Sequence, residues 1–228
     1  MEIINPIPVK LNLNELQEKL HMKPGKQWDQ VLQLVESAEL LIEAKVVYKA
    51  CDIEEKYPDG VQLDGVRLTS KVLGKKLAEP VRVFPYVLTI GPKLEEEAKN
   101  LAEYIQQYCF DIIGNVAVIT ARRNFEEQLK NKYKLEKMAR LGPGSLKAWP
   151  IHEQKPLFSI IGDVESAIGV KLNESFLMIP RKSISGIYFP TEIPFEACQL
   201  CPRQDCPARR APYDENQASE YEEQESMH

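Results

Sequence analysis

The sequence predicts an α+β domain with a twisted, mostly antiparallel sheet and long helices. Three observations carry this. Val61 to Leu68 is an alternating run interrupted by Asp64-Gly65, the dipeptide of a tight two-residue hairpin. Phe176 to Met178 and Ser183 to Phe189 read as two strands around Pro180, Arg181 and Lys182. Leu94, Ala98, Leu101, Ile105, Cys109, Ile112, Val116 and Ile119 recur three and four apart, the stripe of a helix facing a core. Together they place one domain over residues 1–195, followed by a cysteine-containing segment, 196–228, whose end is expected to be disordered.

A chain of 228 residues can bury about 70% of its unfolded surface, enough for a core that needs no staples. Its apolar share of 43% is that of a globular protein. The formal charge of −5 argues against a nucleic-acid or anionic-membrane binder. No stretch approaches the ~20 apolar residues of a membrane span. The first residues lack a basic region followed by an apolar one, so a cytoplasmic location is expected. Thiols there are reduced, which favours metal over disulfide for clustered cysteines.

The elements follow in order. Residues 3–9 form a short edge strand, since Pro6 and Pro8 exclude a central one. Asn12 caps a helix through Leu20. Residues 27–50 carry a longer helix on Leu32, Val35, Ala38, Leu41, Ile42 and Val46. After the hairpin come a helix from Ser70 to Leu77 and a strand from Val81 to Ile90. Gly91-Pro92 opens the long helix, where Cys109 lies on the core stripe as a small hydrophobe. Gly114, unfavourable within a helix, marks a close approach by a backbone or ligand. Arg140 to Ser145 is a loop, and 156–168 a helix closed by Gly169.

Chemistry concentrates in two places. Cys198, Cys201 and Cys206 have the spacing C-x2-C-x4-C. Thiolates that dense can converge on one zinc ion or iron–sulfur cluster. The fourth ligand would be Cys51, Cys109, Asp205, His228 or a group from another molecule. The bland alternative is a surface segment with free thiols or a disulfide. The second place is Arg140 followed by Gly142, Pro143, Gly144 and Ser145. A guanidinium can grip a carboxylate with two parallel hydrogen bonds, and glycines let backbone approach a ligand closely. Most such segments are simply turns. His21 and His152 belong to no acid–base motif, and no dinucleotide fingerprint or phosphate loop is present.

A longer pattern contains that loop. Arg140, Pro143 and Gly144 are followed by Leu172-Asn173-Glu174-Ser175-Phe176-x-Met178-x-Pro180 and by Ser183-Ile184-Ser185-Gly186. This resembles the reactivation domain of cobalamin-dependent methionine synthase. Ser70, Leu73 and Leu77, Thr89 to Pro92, and Asp111, Gly114 and Ala117 are similar to small stand-alone relatives of that domain. The resemblance covers residues 60–190. It implies binding of S-adenosylmethionine and reductive methylation of a cobalamin presented by a corrinoid protein or cobalamin-dependent methyltransferase, with a separate electron donor. It assigns Arg140 to the ligand's carboxylate, the backbone of Gly142 to its polar groups, and Tyr188 to the wall, a residue whose bland reading is a half-buried strand tyrosine. Two positions depart from the family's pattern: Ser145 stands where a tyrosine is usual, and Ile119 near where many relatives carry an acid. An iron–sulfur cluster at the cysteines would suit a reductive task. The competing expectation is a non-catalytic scaffold for a methyltransferase partner, its tail ordered by zinc.

Overall fold

The computed structural model describes residues 1–193, 195–206 and 209–222. Its elements in chain order are β1 (Glu2–Ile4), α1 (Leu13–Lys19), α2 (Lys26–Glu39), β2 (Lys45–Tyr48), β3 (Cys51–Asp52), β4 (Glu55–Tyr57), β5 (Gly60–Leu63), β6 (Val66–Thr69), α3 (Lys71–Lys76) and β7 (Arg82–Thr89). Then follow α4 (Lys93–Asn100), α5 (Tyr104–Tyr133), β8 (Met138–Leu141), α6 (Gln154–Ile161), α7 (Val164–Ile168), β9 (Lys171–Leu172), β10 (Met178–Ile179), β11 (Ser183–Pro190) and α8 (Glu215–Glu222). The main sheet runs β1-β2-β7-β11-β8, with β3 also on β7, and every pairing in it is antiparallel. The fold is therefore the α+β, antiparallel arrangement that the sequence predicts.

Alternation along the strands divides the core. Tyr48, Phe84, Tyr86, Leu88 and Tyr188 face α1, α2 and α5. Val83, Ala139, Leu141, Ile187 and Phe189 face the opposite way, onto α3, α6 and the C-terminal segment. The hairpin lies in a separate three-stranded meander, β4-β5-β6. Asp64 (φ 48°) and Gly65 (φ 73°) are both left-handed, as a tight hairpin turn requires. Caps stand where the sequence places them. Asn12 accepts from the amides of Asn14 and Glu15, Ser70 Oγ accepts from Leu73, and Gly169 closes α7 in the left-handed conformation.

Four local expectations are corrected. The helix expected over 27–50 stops at Glu39, and Val46 belongs to β2. Val46 and Val47 are buried on opposite faces of the sheet, an environment that suits β-branched residues and that periodicity alone does not reveal. The long helix is two: Leu101 is extended between α4 and α5, and its carbonyl accepts from the Gln107 side chain. The helix over 156–168 breaks at Gly162 (φ 111°). Arg140 is in a strand, and the loop begins only after Leu141. In addition, β10 pairs with β9 rather than with β11.

The segment after Phe195 packs onto the domain as far as it is described. Phe195, Leu200 and Ala218 are buried in the core cluster on the α3 and α6 face. Lys76 sits 4.1 Å over the Phe195 ring and Lys75 4.6 Å over Tyr221. Residues 215–222, which composition suggests are disordered, are helical. Low hydrophobicity of a segment does not prevent a few apolar side chains from docking it. No helix among the described residues is long and apolar enough to cross a membrane.

Gly186 explains one motif position. A Cβ there would lie 2.2 Å from the Leu141 carbonyl oxygen, at the end of the β8-β11 ladder. Neither backbone can yield without breaking that ladder. Gly186→Ala is expected to lower stability by about 1–3 kcal/mol, the usual cost of overpacking. A reduced urea midpoint with an unchanged slope checks it, whereas a parent-like midpoint contradicts it.

Candidate functional site

Antiparallel register brings two of the predicted residues together. Arg140 on β8 lies directly opposite Tyr188 on β11, so both side chains point to the α5 face. There they border a cavity of about 240 Å3 that Arg122, Glu126, Glu196 and Arg210 also line. The other predicted residues lie elsewhere. Gly144 and Ser145 line a larger cavity of about 940 Å3, walled by the loop to Glu153, by Ser70 to Val72, and by the C-terminal segment. Gly142 and Pro143 line neither cavity. A Cβ on Gly142 would meet the Ser185 carbonyl oxygen at 2.8 Å, so its glycine serves strand approach. Ser145 Oγ donates to the Gly142 carbonyl and closes the turn.

The smaller cavity is built on a buried polar network. Arg122 is 6% exposed and donates from Nη1 to Tyr188 Oη at 2.9 Å and to Glu126 Oε2 at 2.8 Å. Tyr188 Oη in turn donates to Glu126 Oε2 at 3.1 Å. Tyr86 stacks on the Tyr188 ring with centroids 4.9 Å apart. Burial holds the Tyr188 hydroxyl protonated, well above the ordinary tyrosine range. Burial pushes the Glu126 carboxyl up, but the Lys130 hydrogen bond and the Arg122 charge outweigh it and hold Glu126 below the ordinary glutamate value.

Across the cavity, Arg210 Nη2 reaches Glu196 Oε2 at 2.9 Å. Burial, then the nearby charge of Arg140, lowers the Arg210 pKa. Arg140 Nε is buried and has no hydrogen-bond partner among the described residues. A buried guanidinium N–H without an acceptor is costly, and this one belongs to a residue that lines the cavity.

These residues set out what sequence reasoning missed. Arg122 and Glu126 had a signal, an ion pair four residues apart interrupting the apolar face of a helix. Glu196 and Arg210 had none, because only docking of the C-terminal segment brings them to the sheet. Ile119 packs against the core, while Glu126, seven residues later on the same helix, supplies a carboxylate at the cavity. Gly114 marks a close approach, but by side chains: its Cβ would sit 3.1 Å from both Leu94 and Lys182. Asn173 Oδ1 accepts from the amides of Ser175 and Leu177, so Glu174 and Ser175 sit in a side-chain-closed turn.

The cysteines do not assemble as expected. Among the described residues no three His, Cys, Asp or Glu side chains converge on a position for a metal. Cys198, Cys201 and Cys206 are half-buried free thiols. Cys51 and Cys109 are buried in the body of the fold, and burial pushes the Cys51 thiol up to about 12. His228 lies outside the described residues. The loop is organised by Arg209 instead. Its Nη1 donates to the carbonyls of Cys198 and Ala211, each at 3.0 Å, and its Nη2 to those of Cys201, at 3.0 Å, and Arg203.

The profile of the family described as "Vitamin B12 dependent methionine synthase, activation domain" matches residues 98–194. Residues 98–194 are therefore similar to that activation domain. Among solved structures it is similar to one titled "Crystal Structure of the MetH Reactivation Domain bound to AdoHcy", with a TM-score of 0.54 and 16% identity over 86% of this chain and 80% of that one. No curated protein matches the chain. The matched segment includes Arg122, Glu126, Arg140 and Tyr188, and ends before Glu196, the three clustered cysteines and Arg210.

Two outcomes are expected. Because Glu126 is depressed in the folded state, it stabilises the protein above the ordinary glutamate value and loses that contribution as the pH falls through its folded value. Glu126→Gln should therefore flatten part of the loss of stability as the pH falls below the ordinary glutamate value in denaturant titrations; an unchanged slope counts against the network. Arg209→Ala should expose residues 196–222 to limited proteolysis, and serine at Cys198, Cys201 and Cys206 together should not. If the triple serine variant is cleaved as readily as Arg209→Ala, the thiols hold the loop.

Proposed function

We propose that this protein binds S-adenosylmethionine and supports reductive methylation of a cobalamin presented by a corrinoid protein or cobalamin-dependent methyltransferase. The observation that carries the reading is the match of residues 98–194 to the methionine synthase activation domain, with Arg140 placed inside it and facing a cavity. The likeness to a domain solved with AdoHcy, the demethylated form of the ligand, supports it. When bound, S-adenosylmethionine supplies a sulfonium methyl for the cobalt, while a separate donor supplies one electron. The residues named here neither donate nor abstract a proton. Their part is to hold the ligand in line with a docked corrinoid, and positioning of that kind is a large catalytic term in itself.

Arg140 grips the carboxylate in this reading, since it lines the cavity and carries a buried Nε without a partner among the described residues. The arginine cavity lies below the roughly 300–1,000 Å3 of a drug-sized ligand site, so it takes one end of the ligand rather than the whole. The rest extends out of its mouth.

A second reading is a partner-binding scaffold for a methyltransferase that has lost the ligand. Ser145, engaged with the Gly142 carbonyl in place of the usual tyrosine, favours it. Calorimetry separates the two. The parent should bind S-adenosylmethionine, and Arg140→Ala should weaken it about ten- to a hundred-fold, the loss of one charge-assisted contact. No heat at millimolar ligand would leave the scaffold reading standing. Binding that survives Arg140→Ala but is lost in Ser145→Trp would place the ligand in the larger cavity.

A further inference from the structure

The arginine cavity has a wall that the activation-domain match does not cover. Phe195, Glu196 and Arg210 close it, and all three follow residue 194. Their position is held firmly. Phe195 is buried under Lys76, Glu196 and Gln199 form a reciprocal capping box, and Arg209, next to Arg210, is fixed by carbonyls of the segment. The cavity therefore presents both signs of charge at close range. Arg140 has a buried N–H without a partner among the described residues, Arg210 stands close enough for the two cations to repel, and Glu196 and Glu126 carry the carboxylates. Arg122 and Glu126 already satisfy each other through Tyr188. Arg140 is left in need of an anion, and Glu196 is half-exposed with one cationic partner.

Two cations and an accessible carboxylate around a space of about 240 Å3 are complementary to a zwitterion in which an ammonium and a carboxylate share one carbon. We propose that Glu196 and Arg210 of the C-terminal segment complete, with Arg140, a subsite for the α-amino-acid end of S-adenosylmethionine. Arg140 and Arg210 clasp the carboxylate from two sides, and Glu196 accepts from the ammonium. This rests on the ligand assignment above and adds two specificity-determining residues from outside the matched segment. It also supplies an acid for the amino group of a ligand, although Ile119 is apolar.

Two probes isolate that end. S-adenosylhomocysteine carries the amino-acid end, and 5′-methylthioadenosine keeps the nucleoside thioether without it. In the full chain, Glu196→Gln and Arg210→Gln should each weaken S-adenosylhomocysteine about tenfold or more. Methylthioadenosine should bind both variants as it binds the parent, and Arg210→Lys should recover part of the loss. Matching thermal midpoints show that the segment remains docked. Parent-like affinity for S-adenosylhomocysteine in both Gln variants overturns the inference while leaving the proposed function intact. Equal weakening of both probes also overturns it, because a loosened wall would act on the whole ligand. A parent that binds neither S-adenosylmethionine nor S-adenosylhomocysteine removes the proposed function and this subsite together.

Discussion

The register of β11 between β7 and β8 is the constraint on which the rest depends. β11 is paired on both edges, and its residues alternate between two buried faces. In this register Tyr188 lies opposite both Phe84 and Arg140, and points towards α5. A slip of one residue would carry Tyr188 to the α6 face and bring Ile187 and Phe189 under α5. Small residues and hydroxyls pin the register. Gly186 leaves no room for a side chain beside Leu141, Ser185 Oγ donates to Gln154, and Ser183 Oγ lies 2.9 Å from Thr89 Oγ1.

The same alternation imposes a charge problem on the α5 face. Arg122, Arg140 and Arg210 gather around one small space. Only part of that charge is neutralised by direct contacts. Arg122 is engaged through Nη1 by Glu126 and Tyr188, Arg210 is paired with Glu196, and the buried Nε of Arg140 is left over. A cost of this kind is ordinarily removed by burying an acceptor. Its persistence beside a cavity is what distinguishes this cluster from the exposed ion pairs elsewhere, such as Arg82 with Asp52, which screening makes energetically minor.

The C-terminal segment has two physical roles. Its apolar residues extend the core over α3 and α6, and its charged residues close the arginine cavity. Arg209 and Arg210, neighbours in sequence, divide these tasks: one holds the loop by its carbonyls, the other faces the cavity. The carbonyls of the cysteine-bearing loop are gathered by the Arg209 guanidinium.

The sequence by itself determined whatever depends on short-range chemistry. The hairpin at Asp64-Gly65 needs two left-handed residues, the caps at Asn12, Ser70 and Gly169 act within one turn, and the stripe on α5 is a property of helix period. The family motif likewise singled out Arg140 and Tyr188, which register sets opposite each other, although Arg140 was expected in a loop and lies in a strand. Tertiary structure decided the rest. Whether Val46 continues a helix or pairs with Leu88 depends on a partner 42 residues away. The end of β8 at Leu141 and the turn after it separated Arg140 from Gly144 and Ser145, although they are near neighbours in the chain. Glu196 and Arg210 reach the cavity only because Phe195, Leu200 and Ala218 bury themselves on the far side of the sheet. Local spacing records which residues can share a turn or a face. It does not record which distant segment will cover that face, because that choice is made by burial summed over the whole fold.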